Sequence, residues 1–171
     1  MFSAVYELPL GNGKRWVTQG PAAAIVGGWS LSDVTTLQSG PPVTVVTQTN
    51  STNAFSTGSL RPNVLGNPNL SSPGVHEWFN MTDFAQPAIY QFGNEGVGII
   101  RAAGIVDTDL SLQRSFKFRE RMKLQARGEF FNLTNHTNFG LPNTTFGSPT
   151  FGQVTSASNG RQIEISLRLE F

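Results

Sequence analysis

The side chains able to do chemistry are few and scattered. The chain has 171 residues, two histidines and no cysteine. A thiol nucleophile, a disulfide scaffold and a Cys-based zinc site are therefore excluded. His76 and Glu77 are adjacent and have the types of an acid–base pair, but no third partner stands near them to orient the proton transfer. His136 lies alone in a polar stretch. Asp107-Thr108-Asp109 looks like a cation-binding snippet, yet lacks the rest of a calcium loop. Gly93-Asn94-Glu95-Gly96-Val97-Gly98 is glycine-rich, but its spacing fits neither nucleotide fingerprint and no strand–helix context follows. No nucleophile–base–orienter set can be assembled. The expectation is a protein that is not an enzyme and takes no cofactor and no metal.

Charge gives no larger theme. Six basic residues lie between Arg114 and Arg127, with Glu120 and Glu129 among or just beyond them. The formal net charge is only +1. A nucleic-acid partner is not expected. Charged residues make up 13%, about half the usual share, while Gly 18 and Pro 10 join abundant Ser, Thr and Asn. Such a composition disfavours helix and favours strands and turns. Thirteen Phe argue against a disordered polymer.

Hydropathy supplies the elements. From Gln162 to Phe171, Ile163, Ile165, Leu167, Leu169 and Phe171 alternate with Gln162, Glu164, Ser166, Arg168 and Glu170. A period of two over ten residues is a strand with one apolar and one polar face. Met122, Leu124, Ala126, Gly128 and Phe130 alternate with Lys123, Gln125, Arg127 and Glu129 in the same way. Leu110, Leu112, Phe116 and Phe118 form a third apolar row, interrupted by Arg114, whose long stem is expected to snorkel. Two further strands are read at 2–8 and 27–39. In the second of these, Asp33 falls on the apolar side, which calls for a bulge or a local partner. Pro42–Thr49 is β-prone, but its prolines make it an edge or loop strand.

The resulting expectation is an all-β antiparallel meander, with strands near 2–8, 27–39, 107–118, 122–132 and 162–171. Only Arg119-Glu120-Arg121 joins the third and fourth strands, whereas 40–105 and 133–160 are long, polar connections. Short turns on one side and long loops on the other is the layout of a transmembrane β-barrel. The strand lengths suit a membrane crossing of roughly 9–11 residues. On this reading Leu110, Leu112, Leu124, Phe130, Ile163 and Ile165 face lipid. Lys123, Arg127, Glu129, Glu164 and Arg168 face the lumen, where Lys123 and Arg127 are expected to pair with Glu164 or Asp109. Phe116, Phe118 and Phe171 share one aromatic rim, and Phe130 and Phe131 the other. With the C-terminus periplasmic, both long loops lie outside. The connection 9–26 is the misfit, being long yet periplasmic. Five strands cannot close a barrel, so the chain is expected to be an unclosed segment of a larger one.

The residues also resemble the C-terminal part of an Oar-like TonB-dependent transporter, over nearly the whole chain. The resemblance rests on Tyr6-Glu7-Leu8-Pro9, Gly27-Gly28-Trp29-Ser30-Leu31-Ser32, Gln38-Ser39-Gly40-Pro41-Pro42, Arg61-Pro62-Asn63, Trp78-Phe79-Asn80 and Phe92-Gly93-Asn94, in that order. Its most specific block is Arg127-Gly128-Glu129-Phe130-Phe131-Asn132-Leu133-Thr134-Asn135-His136, followed by Asn138-Phe139-Gly140. Phe151-Gly152-Gln153-Val154, Arg161-Gln162-Ile163 and the closing Leu167-Arg168-Leu169-Glu170-Phe171 complete it. Ala102-Ala103-Gly104 departs from the family's Gly-Pro-Gly. The resemblance implies a barrel of about 22 strands with an N-terminal plug that contacts TonB, neither supplied by these residues. It also implies that Phe171, with Leu169 and Leu167, is the signal read by the barrel-assembly machinery. The implied partners are outer-membrane lipid, that machinery, the remainder of the barrel and the plug, and TonB only through the plug. The implied location is the bacterial outer membrane. The alternative is a secreted, soluble all-β sandwich that binds through its loops in the manner of an adhesin.

Overall fold

The computed structural model describes residues 1–52, 60–119 and 122–171. The tight basic turn expected at Arg119-Glu120-Arg121 lies outside the described residues, apart from the backbone of Arg119. The chain divides into two compact units, a sheet unit (Met1–Gln38, Val106–Thr137, Asn159–Phe171) and a loop unit (Ser39–Ile105, Asn138–Ser158).

The sheet unit is built on five strands among the described residues: β1 (Phe2–Glu7), β2 (Ser30–Gln38), β3 (Ile105–Arg119), β4 (Met122–Phe131) and β5 (Gln162–Glu170). They are hydrogen-bonded in chain order, so the sheet is a meander. β1 pairs antiparallel with β2, β3 with β4, and β4 with β5. Between β2 and β3, Ser30 reaches Gln113 while Thr35 reaches Thr108, so these strands also run oppositely. β1 and β5 are open edges, and the sheet does not close on itself.

The register aligns the alternating side chains into rows. Leu110, Phe130 and Ile163 stand side by side, as do Leu112, Gly128 and Ile165, and Phe116, Leu124 and Leu169. A one-residue slip would mix these rows with the charged ones, which is why the alternation fixes the pairing. An irregularity at Phe118 shifts the register between Lys117 and Arg119. Asp33 is accommodated without a break in the β1–β2 register. The Thr35 hydroxyl donates to both its carboxylate oxygens, at 3.4 and 3.2 Å.

The connection between β1 and β2 contains a helix, α1 (Gly20–Val26), that hydropathy alone does not reveal. Pro21 sits in its first turn, where a missing N–H costs nothing. Its end is held from the sheet. The Arg114 guanidinium donates to the carbonyls of Ala24 and Ile25, and Trp29 Nε1 donates to Ile25 at 3.2 Å. Arg114 therefore does not snorkel to solvent. The helix end supplies the carbonyls that are left orphaned at any helix C-terminus, and the cation satisfies them.

The loop unit corrects the expectation of two polar loops. It holds a core of Val45, Phe79, Phe84, Ile100 and Phe151, all buried. Phe79, Phe84 and Phe151 meet edge-on at centroid distances of 5.2–5.7 Å. Short two-residue ladders frame it. Pro42–Val43 pairs antiparallel with Ile100–Arg101, Asn63–Val64 antiparallel with Phe84–Ala85, and Val46–Thr47 parallel with Thr145–Phe146. Gly40 shows how tight this framing is, because a Cβ there would stand 1.7 Å from the Ala102 carbonyl oxygen. Gly40→Ala is expected to cost the loop unit about 1–3 kcal/mol through the forced backbone shift. A urea titration that follows the loop unit reads this as a lower midpoint, and an unmoved midpoint would refute the close approach.

Candidate functional site

The two faces of the sheet unit differ in chemistry, and the side chains expected to face lipid and lumen fall on opposite ones. The apolar face carries Leu110, Leu112, Leu124, Phe130, Ile163, Ile165, Leu167 and Leu169. Among the described residues of the sheet unit, nothing covers this face at β5, where Ile165 is 83% and Leu167 71% exposed. The row from Ile163 to Phe171 spans about 27 Å at ~3.4 Å per residue, close to the ~25 Å apolar band of a membrane barrel.

Aromatic rings gather toward one end of that face. Trp29 meets Phe116 edge-on at 6.4 Å, and Phe116 stacks with Phe118 at 6.5 Å. Arg114 lies over the Phe116 ring, 4.0 Å from its centroid. In register, Glu170 stands opposite Lys123 and Lys117, which brings Phe171 to the level of Phe118. Toward the other end stands Phe130, but Phe131 does not share its rim. The period of two turns Phe131 to the polar face, opposite Gln162.

The polar face carries Lys123, Arg127, Glu129, Glu164 and Arg168. Its pairings differ from those expected. Arg127 Nη2 binds Glu129 at 2.7 Å and its Nε reaches Ser111 at 3.4 Å. Lys123 binds Glu170 at 3.5 Å, and Arg168 binds the other oxygen of Glu170 at 3.4 Å. Glu164 instead stands directly opposite Glu129, so the register denies it to Arg127, which faces Ser166. Asp109 is engaged locally, accepting the Asn132 N–H at 2.9 Å. These pairs are largely exposed and add little stability. Their effect is to keep one face hydrophilic. Ser32, Asp109, Ser111, Arg127, Glu129 and Phe131 line a recess of about 240 Å³ on this face.

The connections sort by edge. β1 ends, β2 begins, β3 ends, β4 begins and β5 ends at one edge, where the joining segments are 8–29 and 120–121. The other edge emits 39–104 and 132–161. Asn132 shapes one of these exits. It adopts a left-handed backbone (φ 49°), ends β4, and clips His136 with two side-chain bonds of 2.9 Å.

The remaining chemistry-bearing residues do not converge. His76 and Glu77 are both exposed. Among the described residues, no group of three or more His, Cys, Asp or Glu is gathered to hold a metal ion. The glycine-rich Gly93–Gly98 stretch is a structural clip. Asn94 accepts the Val64 N–H at 2.7 Å and donates its own N–H to Asn63 at 3.2 Å. Glu95 is the residue that sequence reasoning missed. It is only 2% exposed, its Oε1 accepts the Val45 N–H at 2.9 Å, and its Oε2 is buried with no partner among the described residues.

Burial raises the Glu95 pKa above the ordinary carboxylate value, against the opposing pull of the Val45 N–H and the Arg61 charge. A group whose folded pKa is raised binds its proton more tightly folded than unfolded. Its stabilising contribution is full below the ordinary carboxylate range and is lost as pH rises through the raised value. The loop unit is therefore expected to gain stability as pH falls through that raised value. Glu95→Gln should flatten that dependence in pH-resolved thermal unfolding, and a wild-type slope retained in the variant would exclude Glu95 as its source.

No helix among the described residues is long and apolar enough to cross a membrane. No curated protein and no solved structure matches the chain. The family described as an outer membrane beta barrel domain matches residues 1–164, nearly the whole chain. The sheet is an open antiparallel meander, apolar on one face and polar on the other; the chain belongs to the outer membrane beta barrel domain family.

Proposed function

We propose that this chain forms the C-terminal wall of an Oar-like TonB-dependent transporter in the bacterial outer membrane. The observation that carries this reading is the sheet itself. An exposed apolar face of bilayer height backs a charged face, and the two long insertions leave from one edge. The ordered motifs from Tyr6-Glu7-Leu8-Pro9 to Leu167-Arg168-Leu169-Glu170-Phe171 support the narrower transporter identity. On this reading the apolar rows meet outer-membrane lipid and Lys123, Arg127, Glu129, Glu164 and Arg168 line the lumen. β1 and β5 pair with the remainder of the barrel, since an open edge in lipid leaves backbone groups unsatisfied at several kcal/mol each. Phe171, Leu169 and Leu167 present the signal to the barrel-assembly machinery. The wall is non-catalytic. TonB acts through a plug, so these residues alone drive no energised transport. The C-terminus is periplasmic, and the segments leaving the opposite edge face the exterior.

These 171 residues hold no cysteine, so each introduced one is the only thiol among them. Ser72→Cys lies in a long insertion and Thr18→Cys in the opposite connection; both positions are exposed. On intact cells a membrane-impermeant maleimide should label the first and not the second, and both should label after lysis. Recovery of the protein in the soluble fraction would favour the adhesin-like sandwich and overturn the proposal, and the reverse labelling pattern would invert the orientation.

A further inference from the structure

A cavity of about 540 Å³ opens beside α1, at the edge of the sheet where β3 ends. Lys14, Arg114 and Lys117 line it, together with Phe116, Phe118 and Ala23, and no acidic residue among those described does. Its volume is in the range of sites that hold a small ligand or a headgroup. The basic residues are not equally neutralised. Lys14 bridges Glu7 at 2.9 Å in an exposed pair. Lys117 alternates with Phe116 and Phe118 and stands in register opposite Lys123, on the polar face. Arg114 commits its terminal nitrogens to the helix-end carbonyls of Ala24 and Ile25, and its Nε is buried with no partner among the described residues. The space beside Gly28, whose φ of +75° suits glycine, is open except for that Nε at 3.8 Å. Lys14, Arg114 and two phenylalanines around one opening call for a ligand with an anionic head and an apolar body.

We infer that this cavity binds the phosphate headgroup of an anionic phospholipid, with the acyl chains lying along the apolar face beside Phe116 and Phe118. The inference rests on the membrane reading above. The cavity lies at the rim where that reading puts the inner leaflet, and Phe116 and Phe118 belong to the aromatic belt of that rim. Cations at such a depth attract anionic headgroups. Arg114 supplies the fixed end of the site, because its stacking on Phe116 and its carbonyl bonds hold the guanidinium still. Lys14 supplies adjustable charge.

The test uses the full chain purified from membranes in detergent, incubated with phosphatidylglycerol or phosphatidylcholine and examined by native mass spectrometry. One phosphatidylglycerol is expected to remain bound under conditions that strip phosphatidylcholine. Lys14→Gln should weaken retention about fivefold. The change leaves the Arg114 contacts with α1 intact, so an unaltered unfolding midpoint separates lost binding from lost fold. Equal retention of the two lipids, or undiminished phosphatidylglycerol binding in the variant, overturns the inference. Displacement of phosphatidylglycerol by millimolar inorganic phosphate would identify a free-phosphate site and overturn the lipid assignment. A failed membrane reading shows itself separately, as a protein that stays monodisperse without detergent.

Discussion

Replacing Phe79 with alanine is expected to unfold most of the loop unit while leaving the sheet unit folded. Phe79 is fully buried and touches the rings of Phe84 and Phe151 edge-on. Truncating a buried Phe to Ala typically costs about 3–5 kcal/mol, the sum of lost burial and a residual cavity. The two edge-to-face pairs add to that loss. A unit of this size has a total stability of about 5–15 kcal/mol, so the loss is a large fraction of the whole. The reason for expecting a cooperative collapse is the way the unit is assembled. Its ladders are two residues long and pin distant segments together around one aromatic cluster. Hydrogen–deuterium exchange reports the outcome directly. The amides of Val46, Thr47, Trp78 and Gly152, bonded across the unit, should lose protection, while those of β3 to β5 keep theirs. If protection in the loop unit survives in the variant, the aromatic cluster is not what holds these segments together.

That expectation could not have been formed from the sequence, and the reason is physical. The sheet announces itself because its order is periodic. Ile163, Ile165, Leu167 and Leu169 alternate with charged and polar residues, so five strands, their two faces and their boundaries within about three residues can be read directly. The loop unit has no period. Its order comes from single contacts between residues far apart in the chain, such as Asn94 with Asn63 and Val64, or Gly93 against Arg61 and Pro62. The same contacts explain the motifs that carry the family resemblance. Arg61-Pro62-Asn63 and Phe92-Gly93-Asn94 are two halves of one clip, and Trp78-Phe79-Asn80 meets Phe151-Gly152 through the Trp78–Gly152 hydrogen bond and the Phe79–Phe151 rings. These blocks carry the resemblance in one dimension and are fold-forming contacts in three. Glu95 was hidden for the same reason. Nothing beside it in the sequence is apolar enough to suggest burial, because Val45 and Arg61, its partners, are 50 and 34 residues away. The polar face was legible as a face but not as a set of pairs. Pairing depends on register, and register placed Glu164 opposite Glu129 and Arg127 opposite Ser166.

The second large effect is expected at Ile165, and it separates the membrane reading from its soluble rival more sharply than any other single change. Ile165 stands within the apolar row, opposite Gly128 and 83% exposed. In a soluble sheet that leaves this face to water, Ile165→Arg would shift stability by no more than about 0.5 kcal/mol, as surface changes usually do. In a sandwich it would bury an unpaired charge and prevent folding in water altogether. Facing lipid, an arginine in the interior of the apolar band costs about 2–4 kcal/mol, falling toward zero near the rims. The structure shows how much support such a charge needs. The native cation on this face, Arg114, is held by two helix-end carbonyls and an aromatic ring, and no equivalent partner lies opposite position 165, where Gly128 has no side chain. The matched control is Ser166→Asp, one residue along and on the polar face, where the new carboxylate meets Arg127 and should change stability by about 0.5 kcal/mol or less. Urea unfolding of the protein folded into phospholipid vesicles measures both. A drop of about 2–4 kcal/mol for Ile165→Arg beside an unchanged Ser166→Asp assigns the two faces to lipid and to water respectively. Equal, small effects would leave the apolar face without lipid to repel the charge. A loss from Ser166→Asp alone would mean that the sheet presents its charged side to the bilayer, which the uncovered row of Ile163, Ile165, Leu167 and Leu169 argues against.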